Sequence, residues 1–142
     1  LTTISDLIGD RWTLLLLIAA FFGLRRYDDF QKQLGIASNI LTDRLNRLVD
    51  VRIFTRAQYQ QNPPRSEYPL TARGESLYPL VIALRQWAGD WLPQGGKAAT
   101  LVHRCGQPLV VDVVCGHCGQ KPWPKDVGAL NAPAGDLPAP LI

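Results

Sequence analysis

Along residues 1–92 the apolar positions recur first at a helical and then at a strand-like period. Trp12 to Ile18 is apolar almost all round, as befits a helix buried on every side, with Asp10 placed to cap it and Gly23 to end it. From Tyr27 to Leu34 the pattern becomes amphipathic. Phe30 and Leu34 share a face, Asp28 and Asp29 suit the positive N-terminal end, and Gly35 stops the helix. Ser38 is a good N-cap for a third helix reaching Val49, whose inner face is Leu41, Leu45 and Leu48. Its outer face carries Asn39, Asp43, Asn46 and Arg47, flanked by Thr42 and Arg44. Val51 to Tyr59 and Ser66 to Leu70 are rich in β-branched and aromatic residues and predict two strands. The loop between them, Gln60-Gln61-Asn62-Pro63-Pro64-Arg65, is stiff and polar. Thr71 opens a further helical stretch, with Pro79 in the first turn of its second piece.

Two short helices joined by a glycine-containing turn, the second polar on its outer side, predict a helix-turn-helix. A hairpin with a rigid basic tip directly after it gives the winged-helix order. The expected fold is therefore mainly α with a small β-wing, followed by a short Cys-containing C-terminal β-hairpin extension. Three regions are expected: a winged-helix DNA-binding and dimerisation domain over 1–92, a Cys/His-containing, zinc-ribbon-like extension over 93–121, and a Pro-rich extended tail over 122–142. Pro93-Gln94-Gly95-Gly96 reads as the hinge between the first two. The last helical stretch bears Leu77, Leu80, Val81, Leu84, Trp87 and Trp91, an apolar seam broader than a small domain needs for its own core. It is expected to pair with a second copy; core packing is the alternative.

Composition narrows the function classes. The 142 residues are 46% hydrophobic and 19% charged, as in ordinary globular proteins, and the net charge of +3 is only mildly basic. The location of the charge says more. Between Arg25 and Arg73 the basic residues outnumber the acids, which is what a phosphate-facing surface in that region requires. The longest apolar run, Leu14 to Phe22, is too short to cross a bilayer, and no cationic leader precedes it, so a cytoplasmic protein without membrane contact is expected. The sequence contains no methionine, so a start at its own initiator is not expected. Nucleophile elbow, phosphate loop and paired-carboxylate motifs are lacking, and both histidines lie in the cysteine segment; an enzyme is not expected.

Five short stretches, in this order and spacing, carry a resemblance: Ile8-Gly9-Asp10-Arg11-Trp12 ahead of a leucine run; Arg26-Tyr27-Asp28-Asp29-Phe30; Gly35-Ile36-Ala37-Ser38 to Leu45 with Thr42 and Arg44; Pro63-Pro64-Arg65-Ser66-Glu67-Tyr68; and Leu70-Thr71 with Gly74, then Leu84 to Trp87. Over residues 7–92 the chain resembles the HxlR-type branch of the MarR-related winged-helix regulators. That resemblance implies a transcription regulator, a repressor by expectation, acting on double-stranded DNA as a homodimer. The chain departs from the family pattern in having Asp10 and Arg11 where glycine and lysine are usual, and in lacking a glycine near Arg52. The cysteine just ahead of the first helix, through which some members sense electrophiles or oxidants, is not found after Leu1; it is either absent or was cut away, so sensing by that route is not expected.

On this reading Ser38, Asn39, Thr42 and Asp43 face base edges in the major groove, where Asn can pair with adenine and Thr can meet a thymine methyl. Arg26, Arg44 and Arg47 are expected on phosphates, and Asn62 and Arg65 carry the wing over the backbone or the minor groove. The alternatives are a winged-helix protein-interaction module, disfavoured by the polar outer face, and a regulator answering to a small-molecule inducer or to redox state. Phe21, Phe22, Tyr78, Trp87 and Trp91 are the aromatics that would line an inducer pocket.

The second constellation is His103-x-Cys105, then Cys115-x-His117-Cys118, with glycines at 106, 116 and 119. His103, Cys105, Cys115 and Cys118 could complete a tetrahedral zinc site with Leu109 to Val114 as the strand between its halves. Reduced thiols in a small hairpin, or a Cys115–Cys118 redox pair, are the other readings.

Overall fold

The computed structural model describes residues 2–93 and 99–128, and the chain divides into two compact units, Leu1–Leu84 and Arg85–Ile142. In the first unit, helices α1 (Thr2–Ile8), α2 (Arg11–Phe21), α3 (Tyr27–Leu34) and α4 (Ser38–Asp50) precede strands β1 (Ala57–Gln60) and β2 (Arg65–Glu67). Helix α5 (Ala72–Glu75) follows, and α6 (Tyr78–Trp91) runs past the division.

The helix ends obey local chemistry. Asp10 caps α2: its Oδ1 accepts the N–H groups of Trp12 at 2.9 Å and Thr13 at 3.0 Å, and its Oδ2 the Thr13 hydroxyl. At the other end of α2, Gly23 N–H donates to Ala20 O and Leu24 N–H to Ala19 O, with Gly23 at φ +96. That pair of bonds is a Schellman turn, which needs a left-handed residue. Helix α4 ends the same way, Arg52 N–H on Val49 O and Ile53 N–H on Leu48 O, but here the left-handed residue is Arg52 at φ 60. This explains the glycine that the family pattern carries nearby. Ser38 is not the cap expected from the sequence: it is the first helical residue, and the preceding position, Ala37, makes no side-chain cap bond.

The core gathers Leu16 and Leu17 of α2, Phe30 of α3, Leu41, Leu45 and Leu48 of α4, and Ile53, Phe54 and Tyr68 of the wing. The Phe30 and Phe54 rings meet edge to face at 6.2 Å. Each buried large apolar side chain contributes about 1.5–3 kcal/mol, so the three α4 leucines fix the rotation of that helix more firmly than any surface contact does. The strands are shorter than the sequence suggests. Ile53 and Phe54 follow the Schellman turn into the core, and only Phe54 makes an isolated bridge, to Leu70. Strands β1 and β2 pair antiparallel, Ala57 with Glu67 and Gln58 with Ser66, with an irregularity before Gln60 meets Arg65. Arg26 bridges to Glu67 on the other edge of β2, and Tyr68 N–H donates to Arg25 O, so the front of α3 is tied to the wing.

Thr71 caps α5, accepting Gly74 N–H at 3.1 Å while its hydroxyl donates to Arg52 O at 2.6 Å. A Cβ on Gly74 would lie 2.3 Å from Ile53 O, so only glycine permits this approach. Pro79 is the second residue of α6, as expected from the sequence.

In the second unit, the Gln86 side-chain amide pairs with the backbone of Val111, donating to its carbonyl at 3.0 Å and accepting its N–H at 2.9 Å. No strands of a Cys-containing β-hairpin are assigned among the described residues. Residues 109–114 form no strand, and a single antiparallel bridge joins Val102 to Pro108. Lacking a covering layer, the apolar Val110, Val113 and Val114 are exposed. Most of the expected hinge and tail, 94–98 and 129–142, lies outside the described residues. No helix among the described residues is long and apolar enough to cross a membrane.

A non-glycine residue held left-handed costs about 1–2 kcal/mol, more than the roughly 0.5–1 kcal/mol that glycine adds in unfolded-state freedom. Arg52→Gly is therefore expected to leave the melting temperature unchanged or to raise it. A lower one in thermal denaturation would contradict this account of the turn.

Candidate nucleic-acid interface

With Leu41, Leu45 and Leu48 at most 1% exposed, α4 turns its opposite side outward. Ser38, Asn39, Thr42, Asp43, Asn46 and Arg47 are all exposed there. Tyr27 of α3 holds the front of the helix: its hydroxyl donates to Ser38 O and lies 3.0 Å from Thr42 Oγ1. Beside α4 stands the wing, its tip a turn over 61–64 with a cis Asn62–Pro63 peptide and with Asn62 and Arg65 exposed. Between helix and wing runs a polar cleft lined by Thr42 and Asn46 of α4, Tyr27 and Asp28 of α3, and Arg56, Tyr59 and Arg65 of the wing.

The expected phosphate-binding arginines are not equivalent. Arg44 points inward. Its Nε lies 3.1 Å from Asp10 Oδ1 and its NH1 at 2.5 Å from Asp43, with only 24% of its side chain exposed. Nε is fully covered and makes the ion pair without a well-aligned hydrogen bond. Arg44, expected on a phosphate, is held instead between the α2 cap and α4 in this structure. Asp43 is drawn into the same cluster. Arg47 donates to Asp6 O of α1 at 2.7 Å, and Arg65 pairs with Asp28 at 2.8 Å. Both of those contacts are exposed. Such surface pairs are worth at most about 1 kcal/mol, so a phosphate can displace them. Arg26 stacks over the Tyr59 ring at 4.9 Å, which aims its guanidinium along the wing.

Tyr27, Asn46, Arg56 and Tyr59 belong to this surface but were not singled out as site residues by the sequence. Asn46 was legible as an outer-face position. Arg56 and Tyr59 depend on the strand register, which periodicity over so short a strand does not fix.

The seam on the final helix divides. Leu77 packs against the core and Val81 is buried, so neither is free to meet a second copy. Leu80, Leu84, Trp87 and Trp91 are 48%, 46%, 55% and 74% exposed. Of the aromatics expected around an inducer, Phe21 and Tyr78 meet edge to face at 5.0 Å and border an open concavity, whereas Phe22 is exposed. The four candidate zinc ligands are not drawn together, and among the described residues no three His, Cys, Asp or Glu side chains form a metal cluster. Cys115 and Cys118 do touch. The N–H groups of Cys118 and His117 and the Cys118 thiol all donate to Cys115 and hold its thiol below the ordinary range.

Partial burial pushes the Asp10 carboxyl up, but the Thr13 hydroxyl, the Thr13 amide and the Arg44 charge outweigh it and hold the carboxyl below its ordinary value. Because the folded state lowers this pKa, the stabilisation is complete above the unfolded carboxylate range and is lost as pH falls through the folded value. Asp10→Asn keeps a capping oxygen and removes the charge. Its stability, followed by denaturant titration, should vary less with pH in the acidic range than that of the parent; identical slopes would show that the Asp10–Arg44 contact contributes nothing.

Comparison with known proteins agrees with this geometry. The HxlR-like helix-turn-helix family matches residues 7–96. The uncharacterised HTH-type transcriptional regulator Rv3095 of Mycobacterium tuberculosis is 39% identical over 124 residues, 86% of this chain and 78% of that protein. Among solved structures the chain is similar to PA1607, a candidate transcription factor, with a TM-score of 0.76 and 36% identity over 90% of this chain and 91% of the other. It is also similar to the candidate transcription factor PA1374 of Pseudomonas aeruginosa, with a TM-score of 0.64 and 32% identity over 95% and 93%. An outward polar helix braced by a wing, in the chain order these proteins share, places this protein in the HxlR-like helix-turn-helix family of transcriptional regulators.

Proposed function

We propose that this regulator binds double-stranded DNA sequence-specifically as a homodimer and represses transcription from a pseudo-palindromic operator. The observation that carries the reading is the orientation of α4, whose apolar stripe is buried and whose Ser38, Asn39 and Thr42 stand exposed at its N-terminal end. Recognition helices present that end to base edges, where Asn39 pairs with adenine and Thr42 meets a thymine methyl. Arg26, Arg47, Arg56 and Arg65 supply phosphate contacts that position the helix without reading sequence. Its work lies with DNA in the cytoplasm, and its family consists of regulators rather than enzymes.

The dimer reading rests on α6. Leu80, Leu84, Trp87 and Trp91 recur at helical spacing and leave an apolar row uncovered in a single chain. A two-fold particle would set its recognition helices about 34 Å apart, one turn of the duplex. A ligand-responsive regulator is a second reading, supported by the concavity beside Phe21, Leu24, Arg25, Leu70 and Tyr78.

With an operator selected from a random DNA pool, Asn39→Ala should lose about 1–3 kcal/mol of discrimination at one base pair. Arg26→Ala should weaken binding to every sequence and lower the salt slope by about one. Mobility-shift titrations over a salt series measure both. Equal losses on operator and unrelated DNA would remove Asn39 from base readout. The parent protein should sediment as a dimer at micromolar concentration and Leu84→Glu as a folded monomer; a monomeric parent would refute the α6 interface.

A further inference from the structure

The described stretch 99–128 lacks the usual source of stability. None of its residues is buried; Leu101, Leu109, Val111 and Cys115 are half-covered, and the rest are exposed. It also forms no strand. Small segments without a core ordinarily depend on a metal, a disulfide or a partner for their order.

Its backbone nevertheless closes two turns of like construction. In the first, His103 N–H donates to Gln107 O, Gly106 N–H returns to His103 O, both at 2.9 Å, and Gly106 has φ +86. In the second, Cys115 N–H donates to Gln120 O, Gly119 N–H returns to Cys115 O, both at 2.8 Å, and Gly119 has φ +74. Each turn sets a cysteine, Cys105 or Cys118, immediately before its left-handed glycine. The first turn also folds a ligand-type side chain back over its own amide. His103 Nδ1 accepts Cys105 N–H at 3.4 Å.

We propose that the two turns are the halves of one Zn²⁺ site, one turn supplying Cys115 and Cys118 and the other His103 and Cys105. Three thiolates and one imidazole give a closed tetrahedral set of structural type, with no open position for catalysis. Nδ1 is the histidine atom that binds, because its lone pair already faces the turn and has only a long amide contact to give up. In the structure the halves are not drawn together, so taking up the ion couples binding to the closure of one turn on the other. The inference is independent of the DNA-binding reading, because nothing in its test requires DNA.

The full chain, purified under reducing conditions, should carry one zinc ion, measured by elemental analysis. With Co²⁺ in its place, the visible spectrum should show tetrahedral bands and thiolate charge transfer. Cys115→Ser with Cys118→Ser should abolish both signals. Cys105→Ser and His103→Gln should each weaken affinity by more than about tenfold in competition with a chromophoric chelator, since even outer-shell losses cost about 10–100-fold. His117→Gln should leave it unchanged. Less than about half an equivalent of zinc, unchanged affinity in Cys105→Ser, or a metal-free chain with a Cys115–Cys118 disulfide would each overturn the proposal.

Discussion

The structure depends on one constraint: α4 has a single apolar stripe, and Leu41, Leu45 and Leu48 are all buried along it. A helix buried so completely along one side has no rotational freedom left. Its other side must face solvent, and in this chain that side is polar at every exposed position. The neighbouring elements reinforce the same rotation. Phe30 and Phe54 close the core beneath the helix, and the Tyr27 hydroxyl holds its front turn. An outward polar surface thus arises as the remainder of a packing problem.

Charge is divided between holding this arrangement and offering it to a ligand. Arg44 is committed to Asp10 and Asp43 in a sheltered position, where it ties the first turn of α2 to the middle of α4. Arg65 and Arg47 have partners as well, but those contacts are open to solvent and weak enough to be exchanged. Screening and burial therefore separate a structural arginine from exchangeable ones, although all of them lie within one basic stretch of sequence.

The remaining exposed apolar surface lies on α6 and beyond. Leu77 packs against the core of the first unit and Val81 is buried, and their neighbours at helical spacing stay uncovered. The stretch 99–128 is held by turns, a few hydrogen bonds and the Gln86–Val111 pairing rather than by a core. These two regions are where the chain by itself is least complete.

The sequence alone determined the helices of the recognition unit. Periodicity, the Asp10 cap and the stops at Gly23 and Gly35 are local signals, and they mark α2, α3 and the buried face of α4 closely. It also announced the wing through the proline-rich loop. What the tertiary structure decided were contacts between residues far apart in the chain: Arg44 against Asp10, Arg47 against Asp6, Arg65 against Asp28, Arg26 over Tyr59. It set the strand limits, because the burial of Ile53 and Phe54 overrides their β propensity. It likewise placed Arg52 in a left-handed turn, which the departure from the family's nearby glycine only hints at. Local spacing specifies which face of an element is apolar. Only packing specifies which distant charge meets it, because a side chain's partner is chosen by the geometry of the closed core.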